Sequence, residues 1–122
     1  MPAAMTIQQV SERTGLSAYT LRYYERVHLI PAIERGGNGH RRCTEEDLSW
    51  IEFVKCLRST GMPISEVQRY VRLEQQDDGA AAERLAIMES HRDRLRTRIE
   101  ELSRFLERID GKVERYREAL GP

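Results

Sequence analysis

The chain has 122 residues, of which 39% are hydrophobic and 33% charged, and its 20 basic and 20 acidic side chains cancel to a formal net charge of zero. This length fits one domain-sized unit or a small domain with a long appendage, and the share of charged residues favours an elongated helical protein. A zero net charge gives no overall attraction to polyanions, so a basic surface must be local.

Several sequence features argue against other classes of protein. No apolar run approaches the roughly 18 residues of a membrane span, and residues 1–5 lack the basic start and apolar centre of a signal peptide. The two cysteines, Cys43 and Cys56, form no C-x-x-C pair, which disfavours a disulfide scaffold and a zinc site. No acidic pair, His/Cys combination or phosphate loop has a catalytic spacing. We therefore expect a cytoplasmic protein that is not an enzyme and has no metal, cofactor or membrane partner, with residues 1–5 as a disordered lead.

The first two predicted helices form a helix-turn-helix. Thr6 and Gln9 make a capping-box pattern before a helix predicted over residues 7–14, and Gly15 ends it. Gly15 suits a positive φ, and Ser17 caps a second helix over residues 18–26. Two short helices joined by a glycine-containing turn are typical of a motif whose second helix enters the major groove of DNA.

Residues 32–44 predict a β-hairpin with a glycine-rich tip at residues 36–39. Such a hairpin after a helix-turn-helix is a wing that follows phosphates. Its basic side chains are Arg35, His40, Arg41 and Arg42. Since neighbouring residues of a strand point to opposite faces, we expect only one of Arg41 and Arg42 to meet DNA directly.

Two core helices and a coiled coil complete the chain. Thr44 caps a third helix that Gly61 ends, and Pro63 begins a fourth that runs to about Glu74. Residues 76–79 are a polar linker. From Leu85 to Leu120, apolar residues recur at steps of three and four, which predicts a coiled coil over residues 80–120. A stripe of this length needs a partner helix, so we predict a homodimer.

At this point the chain resembles the MerR family of bacterial transcription regulators. The residues that carry the resemblance are Ser17, Thr20–Glu25, Leu29–Pro31, Gly39–Arg42 and Thr44–Leu48, followed by the coil. The resemblance implies a mainly α fold: a winged helix-turn-helix DNA-binding domain over residues 6–75 and a long antiparallel coiled-coil dimerisation helix. It also implies that a dimer binds an inverted repeat in an over-long promoter spacer, and that it bends and untwists this DNA for RNA polymerase.

The chemistry of the matching residues suggests their roles at double-stranded promoter DNA. Arg22 neutralises a phosphate, the phenols hydrogen-bond phosphates, and the start of the second helix faces base edges or phosphates. The predicted DNA-binding residues are Ser17, Tyr19, Thr20, Arg22, Tyr23, Tyr24, Arg35, His40, Arg41 and Arg42. Two interpretations of Tyr24 stay open, a DNA contact or a core residue beside Leu21. We expect Glu25 to pair with an arginine.

The surroundings of Cys56 resemble the branch of the family that responds to aldehyde and thiol stress, the AdhR- and NmlR-like proteins. This implies that Cys56 is an effector or redox sensor; the alternative is a buried cysteine packed beside Phe53 and Leu57. We expect Cys43 to be structural. Metal-sensing and iron–sulfur members carry further cysteines near the coil ends, which this chain lacks, and we expect no separate ligand-binding domain. The alternative functions are an effector-independent DNA-binding repressor and a coiled-coil adaptor for proteins.

Overall fold

The computed structural model describes residues 5–33, 43–76 and 78–122, and these residues are mainly helical as predicted. The α-helices within these ranges are α1 (Ile7–Thr14), α2 (Ala18–Arg26), α3 (Glu45–Ser59), α4 (Ile64–Glu74) and α5 (Ala81–Leu120), with a short 3-10 turn (Asp78–Ala80) before α5. An antiparallel bridge joins Met5 to Cys43, and the described residues contain no sheet. The predicted wing lies outside the described residues.

Local capping explains where α1 and α2 begin and end. The Thr6 hydroxyl accepts a hydrogen bond from the Gln9 amide while the Gln9 side chain accepts one from the Thr6 amide, which completes the predicted capping box. Gly15 has a φ of 76°, as its position after α1 predicted. Ser17 then caps α2. Both helices have the predicted bounds.

The same rules set the ends of α3 and α4. Thr44 and Asp47 form a second capping box, in which the short aspartate takes the place that glutamate or glutamine more often fills. Pro63 precedes α4, where its missing amide hydrogen has no cost. The two helices therefore start where side chains satisfy, or remove, unpaired amide groups.

One hydrophobic core joins the first four helices. The largest fully buried side chains come from α1, α2, α3, α4 and the connecting segments: Val10, Leu21, Leu29, Ile51, Val54, Met62 and Val67. Each helix contributes one apolar face, so the core fixes the orientation of α2 against α3 and α4.

Helix α5 has a different character. The chain divides into two compact units, Met1–Arg84 and Leu85–Pro122, and the second unit consists almost entirely of α5. The helix has 40 residues, a length of about 60 Å. Its exposed apolar side chains are Leu85, Ile99, Leu102, Phe105, Leu106, Ile109, Val113, Tyr116 and Leu120. No helix in the described part of the chain is long and apolar enough to cross a membrane.

The two glycines at positions 15 and 111 predict opposite effects on stability. A Cβ at Gly15 would lie 3.3 Å from the Lys55 Nζ, and the φ of 76° is unfavourable for alanine. We expect Gly15→Ala to lower the free energy of unfolding by about 1 kcal/mol. Gly111 lies inside α5 with open space around it, so Gly111→Ala should raise that free energy by about 0.5–1 kcal/mol. Urea unfolding at one protein concentration checks both signs, and equal signs would contradict the capping role of Gly15.

Candidate nucleic-acid interface

The first turn of α2 is exposed and polar, whereas the opposite face of the helix is buried in the core. Tyr19 is 77% exposed, whereas Leu21 is fully buried and Tyr24 is 7% exposed. The helix period explains the difference, since Leu21 and Tyr24 are three residues apart and share the core face. Of the two interpretations of Tyr24, the buried ring supports the core residue. Tyr19 is free to meet a ligand.

Ser17 and Thr20 fix the start of α2. The Ser17 Oγ accepts a hydrogen bond from the Thr20 amide at 3.1 Å and donates one to the Thr20 Oγ1 at 3.0 Å. Both hydroxyls therefore lie at the positive end of the helix dipole, which favours an anion such as a phosphate. The Thr20 hydroxyl and the first amide groups of α2 can therefore donate to an anion such as a phosphate, whereas the Ser17 hydroxyl hydrogen is used within the cap.

Arg22 is held within the protein. Its Nη1 donates to the Glu25 Oε1 at 2.6 Å and to the Ile33 carbonyl oxygen at 3.1 Å, and the side chain is only 17% exposed. The Glu25 Oε1 also accepts a hydrogen bond from the Ile33 amide at 3.1 Å. We call this set of contacts the α2 brace. It supplies the predicted arginine partner of Glu25, and any phosphate must share the Arg22 guanidinium with the brace.

Arg26 is a candidate contact that the predicted set of DNA-binding residues omits. Its guanidinium carbon lies 5.8 Å from the centre of the half-buried Tyr23 ring, and its side chain is exposed at the end of α2. The spacing of three residues between Tyr23 and Arg26 places them on one helix face, and this spacing was the available signal. Tyr23 and Arg26 together offer a phenol and a positive charge that forms no ion pair with the residues that the structure describes.

The segment after α2 is irregular but buried. Leu29, Ile30 and Ile33 are at most 6% exposed, although these residues belong to no helix or strand. Buried backbone groups need hydrogen-bond partners, and here the Leu29 amide donates to the Tyr24 carbonyl oxygen at 2.9 Å while side chains supply further partners. Trp50 of α3 donates from its Nε1 to the Leu29 carbonyl oxygen at 2.9 Å, and Gln68 of α4 donates to the Val27 carbonyl oxygen at 3.0 Å. These bonds tie the end of α2 to the core helices.

An aromatic cluster joins α3 to α4. Trp50 and Tyr70 are stacked with ring centres 6.2 Å apart, and Phe53 lies 6.0 Å from Trp50 and 6.1 Å from Tyr70. Burial, reinforced by the Glu74 carboxylate, raises the pKa of Tyr70 above its ordinary value. The cluster fixes the position of the Trp50 donor.

Cys56 is exposed, so the interpretation as a buried residue beside Phe53 and Leu57 is wrong. Leu57 is buried, but Cys56 precedes it in the helix and therefore lies about 100° away around the helix axis, on the exposed side. The nearest cations in sequence are committed elsewhere: the Lys55 Nζ donates to the Thr14 carbonyl oxygen, and the Arg58 Nη1 donates to the Met62 carbonyl oxygen.

The second cysteine and the predicted wing contacts are the other residues that the sequence singles out. Cys43 is 2% exposed and packs in the core, as expected for a structural cysteine. The predicted wing contacts lie outside the described residues: Arg35, His40, Arg41 and Arg42. Within the described ranges, no group of three or more His, Cys, Asp or Glu side chains is arranged to hold a metal ion.

The chain matches known proteins along most of its length. Residues 5–74 match the family described as MerR HTH family regulatory protein, and residues 48–112 match the family described as MerR, DNA binding. An uncharacterized HTH-type transcriptional regulator of Haemophilus influenzae is 34% identical over 93% of this chain and 84% of that protein. The HTH-type transcriptional regulator AdhR of Bacillus subtilis is 45% identical over 75% of this chain and 65% of AdhR.

A solved structure extends the likeness to the fold. The crystal structure of HiNmlR, a MerR family regulator lacking the sensor domain and bound to promoter DNA, has a TM-score of 0.85 and 33% sequence identity. The match covers 96% of this chain and 93% of that chain. The likeness therefore includes the helix-turn-helix and most of the long terminal helix.

The α2 brace predicts a large effect of one glutamate on stability. Glu25→Ala removes the acceptor of both Arg22 and the Ile33 amide, and it leaves a part-buried guanidinium without its counter-ion. We expect the free energy of unfolding to fall by about 2–3 kcal/mol. Glu12→Ala, on the exposed face of α1, should change it by no more than about 0.5 kcal/mol. Urea unfolding followed by circular dichroism measures both, and equal losses would show that the brace adds nothing.

Proposed function

The chain belongs to the MerR family of helix-turn-helix regulatory proteins, and from this premise we propose that it regulates transcription as a homodimer bound to an inverted repeat in promoter DNA. The family matches confirm the resemblance seen in the sequence, including the relation to AdhR and NmlR-like proteins. The family and its relatives are described as transcriptional regulators, so the protein is a DNA-binding regulator and not an enzyme.

One observation carries the proposal for the DNA-reading surface. The turn with Ser17, Tyr19 and Thr20 is presented at the start of α2, while the base of that helix is fixed in the core. A rigid helix that presents polar groups at its N-terminus suits the major groove and its flanking phosphates. Arg22, Tyr23 and Arg26 follow on the same helix as phosphate contacts. The HiNmlR structure supports this assignment because that protein is bound to promoter DNA.

We assign the remaining parts by the same logic. Residues 6–75 form the DNA-binding domain, residues 76–79 the linker and residues 80–120 the dimerisation helix. For the residues that the sequence predicts to form a wing, we propose contacts to the DNA backbone: Arg35, His40, Arg41 and Arg42.

The exposed stripe of α5 supports the homodimer. Apolar side chains from Leu85 to Leu120 remain uncovered in the single chain, and burying them requires a second helix of similar length. An antiparallel pair of α5 helices holds two identical DNA-binding domains at a fixed separation. That separation selects the spacing of two half-sites, and bending and untwisting of the DNA between them presents an over-long promoter spacer to RNA polymerase.

Cys56 is the proposed sensor of aldehydes and other electrophiles. Its exposure and the likeness to AdhR support this role. The Cys56 thiol loses its proton and its sulfur adds to the carbonyl carbon of an aldehyde. The C=O π electron pair moves to the oxygen, which takes up a proton, and the product is a hemithioacetal near the end of α3. The position at the C-terminal end of α3 opposes a thiolate, and Lys55 and Arg58 are engaged elsewhere, so a reactive thiolate needs a cation from α4 or from the partner chain.

Arg22 tests the DNA-binding proposal. Anisotropy titrations use the promoter upstream of the gene and a scrambled duplex, each at several salt concentrations. Arg22→Ala should weaken binding to both duplexes similarly and reduce the salt slope by roughly one unit per DNA-binding domain. Arg96→Ala, an exposed α5 variant, should bind as the parent chain does. A parent chain with no salt slope and no preference for the promoter would instead favour the protein adaptor.

Cys56 tests the sensing proposal separately. Cys56→Ser should bind the promoter with unchanged affinity but lose induction by an added aldehyde in a promoter–reporter assay, because the serine hydroxyl does not replace the thiol as a nucleophile. Full induction in the serine variant would exclude Cys56 as the sensor. A parent chain that represses the reporter equally with and without aldehyde would favour the effector-independent repressor.

A further inference from the structure

A groove of about 500 Å³ lies between the segment after α2 and the α3–α4 pair. Its apolar wall includes Leu29, Pro31, Trp50 and Val71, and its acidic groups are Glu25 and Glu74. The volume falls within the range of small-molecule sites, which combine an apolar wall with a few polar groups. Among the described residues, His28 is the basic side chain of the lining, and no lysine or arginine lines the groove.

The two carboxylates have spare acceptor capacity. Glu25 uses its Oε1 for both Arg22 and the Ile33 amide, and Glu74 uses its Oε2 for Arg84 at 3.0 Å. Within the described part of the chain, no hydrogen bond ends on the other oxygen of either carboxylate. A carboxylate has about four lone-pair sites, so each retains an oxygen for a further donor.

We propose that this groove binds a small organic cation with a protonated amine head and an aromatic or apolar body. The ammonium group donates to the free oxygens of Glu25 and Glu74, and these contacts are charge-assisted. The body of the ligand packs on Trp50 and Val71. Indole is also the side chain most favourable to a nearby cation. An anionic ligand of the same shape meets two carboxylates, and His28 is the one basic side chain among the described lining residues.

The ligand would contact the same carboxylate that holds the α2 brace. Glu25 therefore connects the groove to Arg22 and to the buried segment that ends at Ile33. This inference does not rest on the proposed function, because binding of the cation is measured without DNA.

The test uses the full chain and phenethylamine, which is an ammonium ion at pH 7. The matched controls are the neutral 2-phenylethanol and the anionic 3-phenylpropanoate. Trp50 is the only tryptophan in the sequence, so its fluorescence reports on the groove wall, and isothermal titration calorimetry follows binding independently. We expect saturable binding of phenethylamine, at least about tenfold tighter than that of either control.

Two neighbouring glutamines supply a matched pair of variants. Gln75 lines the groove and is exposed, whereas Gln76 is exposed but not part of the lining. Gln75→Lys should weaken phenethylamine binding by about tenfold or more through charge repulsion, and Gln76→Lys should change it by no more than about twofold. Both variants leave Glu25 and the brace intact.

Three results would overturn the proposal. They are no saturable binding of phenethylamine by either method, equal binding of all three probes, and unchanged binding by the Gln75→Lys variant.

Discussion

The position of the recognition helix depends on how the irregular segment after it is held. Leu29, Ile30 and Ile33 are buried outside any helix or strand, so their backbone groups need partners that no helix or sheet ladder supplies, and several of these partners are side chains. Arg22 and Glu25 bind Ile33, and helices α3 and α4 supply the other donors. Because these bonds join α2 to the rest of the core, the exposed turn before Leu21 is presented on a rigid base. Residues that resemble DNA contacts in the sequence are thus partly structural.

The second constraint is the uncovered apolar stripe of α5. The first four helices form a complete core, whereas Ile99, Leu106 and Ile109 of α5 are all more than half exposed. A helix of this length with such a stripe gains stability when it pairs, and pairing converts one DNA-binding domain into two at a fixed distance. The proposed regulation follows from this geometry, since a stiff pair of domains transmits strain to the DNA between two half-sites.

The helices were predictable because their caps are local in sequence, whereas the contacts between distant residues were not predictable. Thr6, Gly15, Ser17 and Thr44 are caps whose partners lie within a few residues, so the sequence predicted the bounds of α1 and α2 and the starts of the later helices. The coiled-coil period predicted the long α5. The bond from Trp50 to the Leu29 carbonyl spans 21 residues, and no periodicity contains such a pairing.

The candidate site was predictable to a smaller extent. The helix period allowed Tyr24 to be a core residue, and the expected arginine partner of Glu25 is Arg22. The dual use of Arg22 was not foreseen, because its second acceptor is a backbone carbonyl 11 residues away. The residue type favoured burial of Cys56, whereas its position on the helix surface of α3 leaves it exposed.

The most direct test of the proposed dimer measures how many chains bind each duplex, and with what affinity. One duplex carries the promoter repeat, and the other carries the same repeat with about 5 bp, half a helical turn, inserted between the half-sites. A dimer that holds its two DNA-binding domains at a fixed separation should bind as two chains per duplex and lose much of its affinity after the insertion. One chain per duplex, or indifference to the insertion, would contradict the proposed dimer.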